Sequence, residues 1–141
     1  MLNRFYVVGL AAALATGMGY AQSNPNAVGT VNKTNPTSGK QMYVNYCASC
    51  HGVTGKGDGP AAAALKMPPA DLTLLSKNNN GKFPDTHIAA VLQFGAEIPS
   101  HGSPDMPVWG PILGKMDKAN PEFKQLRISN LSRYLETLQV R

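Results

Sequence analysis

The chain has two cysteines in 141 residues and one tryptophan. It has no internal repeat, no run of basic residues interleaved with aromatics, and no segment that alternates apolar with polar side chains. Without a second cysteine pair, a structural zinc site lacks thiolates to complete its four ligands. A redox dithiol would want a βαβ setting, which a chain without strand patterning does not provide. Lysines scattered singly argue against nucleic acid as a partner. The one marked apolar run is too short to cross a bilayer comfortably.

That run opens the chain. Arg4 supplies a positive start, Phe5 to Ala15 an apolar stretch and Gly19-Tyr20-Ala21 a small-residue cleavage site, so residues 1–21 are expected to be a secretory signal. If left uncleaved, the segment would be a membrane anchor. No cysteine stands at the cleavage point to carry a lipid. The periplasm is therefore the expected location. Residues 22–36 are rich in Asn, Pro and Thr with almost no large apolar side chain, which predicts a flexible leader. Residues 37–141 then form one domain. With Arg4 removed, 12 Lys and Arg face 8 Asp and Glu, about +4. The basic residues, Arg127 among them, are expected on a solvated surface with a mild preference for acidic partners.

Both cysteines fall in Cys47-Ala48-Ser49-Cys50-His51. Two thiols three positions apart share one turn and can each add across a vinyl group of a porphyrin. The imidazole that follows falls beneath the iron as an axial donor. This spacing predicts one covalently held haem c at Cys47 and Cys50, with His51 as metal ligand.

The rest is helical punctuation. Ser38-Gly39-Lys40-Gln41 is a capping box, so a first helix should run from about Gly39 into the haem motif. Gly52 to Pro60 is a glycine-rich loop able to lie close to a porphyrin. Ala61 to Leu65 suggests a short helix ended by Pro68-Pro69, and Asn78 to Gly81 a turn. Asp71 is placed as an N-cap. Pro84 to Phe94 predicts a middle helix closed by Gly95. Asn120-Pro121-Glu122 starts a final helix on which Ile128, Leu131, Leu135 and Leu138 recur at helical spacing.

A second axial donor would come from Met42, Met67, Met106, Met116, His87 or His101. Met106 lies in His101 to Pro111, a proline-braced stretch that should stay a loop and hold a thioether rigidly. His101 would instead give two imidazoles and a lower potential.

The haem motif near the start, Gly39-x-x-x-Tyr43 on the helix before it, Met106-Pro107 and Leu131 with Tyr134-Leu135 together resemble class I monohaem cytochrome c of the exported bacterial type. The resemblance covers roughly Thr37 to Arg141. It implies an all-α cytochrome c fold of about three to five helices around one haem, with the first and last helices crossing at Gly39 and packed by Tyr43 and Tyr134. It implies Met106 as the ligand, with Met116 next, and the Pro60 carbonyl as acceptor for the proton of His51. Trp109 resembles a wall residue that could donate to a propionate, with ordinary core packing as the alternative.

Two filled axial positions leave iron no place for substrate. The expected function is thus a soluble one-electron carrier and not an enzyme, a monomer that docks redox proteins through the acidic surfaces of those partners. A dedicated cytochrome subunit of a periplasmic dehydrogenase or oxidase is the alternative. A haem enzyme or gas sensor would need an open iron site.

Overall fold

In the computed structural model, the residues described are 31–95 and 106–140. Among them are five α-helices, α1 (Gly39–Tyr46), α2 (Ala48–His51), α3 (Asp85–Phe94), α4 (Trp109–Lys115) and α5 (Glu122–Thr137), with three single 3₁₀ turns and no strand. The all-α expectation holds.

Helix α1 starts where the capping box places it, with the Ser38 hydroxyl accepting from the Gln41 N–H. It buries Met42, Tyr43 and Tyr46 against Ile128, Leu131 and Leu135 of α5. The two helices cross at Gly39, where a Cβ would collide with the Asn130 carbonyl and stand 2.8 Å from the Tyr134 Cβ. Only glycine permits that approach. The Tyr43 and Tyr134 rings meet beside it at 5.3 Å, tilted by 49°. Gly39 is therefore a contact residue as well as the first residue after a cap.

Helix α3 adds Ile88 and Leu92 to the core and is tied to α5 by the buried Ser132 hydroxyl, which donates to Asp85 at 2.6 Å. Gly95 ends it with φ +86. Helix α4 adds Trp109 and Leu113. Its presence corrects the expectation of loop through Pro111. Pro111 is the third residue of α4, in the first turn, where a backbone N–H would have no helical partner in any case, so proline does not break it.

Two further expectations fail at the α1–α5 crossing. The flexible leader does not extend to Pro36, because its last residues pack on the fold. Thr34 is buried, the Tyr46 hydroxyl donates to the Asn32 carbonyl at 2.7 Å, and the Asn130 amide donates to the Pro36 carbonyl at 3.0 Å. Nor is Arg127 on the surface. It is fully buried and donates to Asp117 at 2.7 and 3.1 Å and to the Thr34 carbonyl and hydroxyl at 2.8 and 2.9 Å. The mostly exposed Lys33 closes the cluster, 2.6 Å from the other Asp117 oxygen. Its hydrogen bond and that of Arg127 hold the Asp117 carboxyl below its ordinary range.

Candidate haem site

The chain breaks its helix at Cys47, which caps α1 by donating its N–H to the Tyr43 carbonyl and at once begins α2. The Cys50 and His51 N–H groups both return to the Cys47 carbonyl, at 3.1 and 2.8 Å. Cys47 and Cys50 thus stand one turn apart, the relation that puts two side chains on one face. Both are free thiols. Cys47 packs partly buried against the core, and burial, aided by the neighbouring Cys50, pushes its thiol up to about 12.

A thioether is neutral, so a sulfur in these surroundings loses nothing by being joined to a porphyrin. Among the described residues, no three His, Cys, Asp or Glu side chains converge to hold one ion, the motif's own included.

Helix α2 is too short to hold itself. The glycine loop after it supplies what its end lacks: the Gly57, Gly59 and Ala61 N–H groups donate to the His51, Cys50 and Ser49 carbonyls at 2.8, 3.0 and 2.8 Å. Gly59 lies so close that a Cβ would strike the Ser49 carbonyl. The loop therefore clamps the backbone of the motif.

His51 is half-buried, and its Nδ1 lies 3.0 Å from the Ala70 carbonyl. A carbonyl only accepts, so Nδ1 carries the hydrogen and Nε2 presents a lone pair. Burial lowers the pKa of the ring, with the Ala70 bond opposing, which favours the neutral, ligating form. This corrects the assignment of the acceptor to Pro60. Pro60 is exposed and sits where the loop is spent on α2, while the Pro69-Ala70 segment passes over it and reaches the ring. Asp71 caps the turn that follows, accepting from the Thr73 N–H at 2.8 Å.

The residues fit a c-type haem by their donor set: two sulfurs one turn apart and an imidazole with its tautomer fixed. Leu72, Leu75, Phe83, Ala89 and Met106 each pack on the core yet stay partly exposed.

The other expected ligands are placed as follows. Met106 is the first described residue after position 105 and lies half-buried on the core. Met42 is fully buried with its sulfur 3.8 Å from the Arg127 guanidinium, and the Met116 sulfur is 3.5 Å from the Tyr46 hydroxyl. Met67 is exposed and lies three residues before Ala70. His87 is half-buried on α3, and His101 lies outside the described residues. Trp109 is buried, with its ring stacked on Tyr46 at 5.4 Å and 24°.

A family model described as cytochrome C oxidase, cbb3-type, subunit III matches residues 34–120. The match begins at the buried Thr34 and ends just before α5. No curated protein and no solved structure matches the chain.

Proposed function

The chain belongs to that family, whose domain is a haem-binding, electron-transferring c-type cytochrome, and from this premise we propose that it is an exported one-electron carrier holding one haem c. Cys47 and Cys50 carry the thioether bonds, and His51 and Met106 are the axial donors. The bound haem supplies the couple between Fe(II) and Fe(III).

The observation that carries the reading is the His51 ring, neutral by burial and held by the Ala70 carbonyl at Nδ1 with Nε2 left to ligate. The placement of the methionines supports Met106 as its opposite number. The Met42 sulfur lies against the buried Arg127 guanidinium and the Met116 sulfur against the Tyr46 hydroxyl, while Met67 is exposed. Two protein donors leave no open position for substrate, hence electron transfer without bond-making. A soft thioether favours the reduced ion and an apolar setting disfavours added charge, so both raise the potential. The signal-like residues 1–21 support export to the periplasm.

The family's description names an oxidase subunit, which favours a second reading: a dedicated cytochrome of a larger complex. Salt separates the two. Surface charge mainly accelerates encounter and is screened over about 8 Å at physiological ionic strength. For a free carrier, stopped-flow electron transfer to an acidic redox protein should slow as salt rises while the potential stays nearly fixed, and the protein should purify alone. A rate that is flat or rises with salt, with a large subunit co-purifying, would replace the first reading by the second.

A further inference from the structure

Helix α1 reaches past its own end. Tyr43 is fully buried, and its hydroxyl donates to the Gly52 carbonyl at 2.6 Å. Gly52 is the residue after His51 and turns the chain with φ +76. Burial pushes the Tyr43 phenol up to about 12, so it remains a donor throughout the neutral range.

From Gly52 a path of hydrogen bonds, joined by short stretches of backbone, returns to the imidazole. The Gly55 N–H donates to the Gly52 carbonyl at 3.2 Å, and the Leu72 N–H donates to the Gly55 carbonyl at 2.7 Å. Two residues before Leu72, the Ala70 carbonyl holds His51 Nδ1. The acceptor that fixes the ring is thus itself moored to the loop, and the loop to Tyr43. Pro69-Ala70 has no helix or strand to hold it at this point. Its register against His51 is set from one side by the loop and from the other by the Gln139 amide, which donates to the Leu72 carbonyl at 2.8 Å.

We infer that Tyr43 is a positioning residue for His51: its hydroxyl, through the Gly52 carbonyl and the 52–55 turn, sets where the Ala70 carbonyl meets the imidazole and so tunes the basicity of the ring. The inference rests on His51 being the axial ligand. A stronger bond from Nδ1–H makes the imidazole a better donor to the oxidised metal, so loosening the path weakens that donation and raises the potential.

Tyr43→Phe keeps the ring and removes the hydroxyl. In the reduced holoprotein, the His51 Nδ1 proton and the Leu72 amide proton should exchange about tenfold faster, the measure of one buried hydrogen bond lost. The midpoint potential should shift upward. Tyr134→Phe, which alters the ring packed on Tyr43 and not the path, should move neither. Leu72→Pro approaches the path from its other end and serves if Tyr43→Phe does not mature. It removes one N–H at the first position of a 3₁₀ turn, after an extended Asp71 that tolerates a following proline. It should give the same upward shift and the faster His51 proton exchange. The inference fails if Tyr43→Phe loses stability while the His51 exchange and the potential match wild type, or if the potential of Leu72→Pro is unchanged. A wild-type reduced protein with no iron-bound His51 imidazole signature would instead overturn the assignment of His51 itself.

Discussion

Replacing Arg127 with alanine should lower the stability of the holoprotein by about 3–5 kcal/mol, the scale for removing one member of a buried ion pair, read as a fall in the denaturant midpoint at unchanged slope. The guanidinium is wholly buried and joins three parts of the chain: Asp117 before α5, Thr34 in the N-terminal stretch, and the Met42 sulfur on α1. Its loss leaves the Thr34 carbonyl and the Asp117 carboxylate short of donors in a place water reaches poorly. Arg127→Lys should recover only part, because an ammonium cannot span both acceptors as a planar fork does.

The same cluster fixes the sign of the acid response. Hydrogen bonds from Lys33 and then Arg127 depress the folded pKa of Asp117. The stability this gives is complete above the ordinary carboxylate value near 4 and is lost as pH falls through the lower folded value. Wild type should therefore lose stability in that acid window, and Arg127→Ala should lose less there. Equal acid slopes in the two proteins would contradict the role given to the pair.

Met106→Ala should change the chemistry of the metal. With the sulfur gone the sixth position opens, and carbon monoxide should bind the reduced variant rapidly while hardly binding wild type. The potential should fall as well, since water or an open site favours the reduced ion less than a thioether does. If the Met106 variant keeps wild-type axial spectra and a Met116 or His101 variant loses them, the ligand is reassigned.

What the sequence makes legible here is what side-chain identity dictates. The motif Cys47 to His51, the glycine crossing at Gly39, the Asp71 cap and the apolar spacing of α3 and α5 each depend on particular residue types at particular intervals, and each has its counterpart in the fold. The acceptor of the His51 proton is a backbone carbonyl. Every residue has one, so spacing alone could not choose Ala70 over Pro60.

Arg127 was missed for another reason: charge suggested the surface. Yet it lies four residues before Leu131 and eight before Leu135, inside the buried stripe of α5, and a nearby acid, Asp117, was there to pair with it. Pattern outranked polarity at that position. The packing of residues 32–36 had no such signal, because Asn32 and Pro36 are held through their backbone carbonyls and Thr34 offers only one hydroxyl beside its own. Helix α4 shows the converse, a segment whose prolines suggested loop and whose Pro111 falls at a position of a first turn that tolerates it.

The most direct measurement is whether haem stays on the polypeptide. The purified mature protein, extracted with acidified acetone and weighed by mass spectrometry, should keep its red colour and carry the mass of one haem on the peptide containing Cys47 and Cys50. Haem passing into the solvent, or a colourless protein with both thiols free to alkylate, would contradict the account.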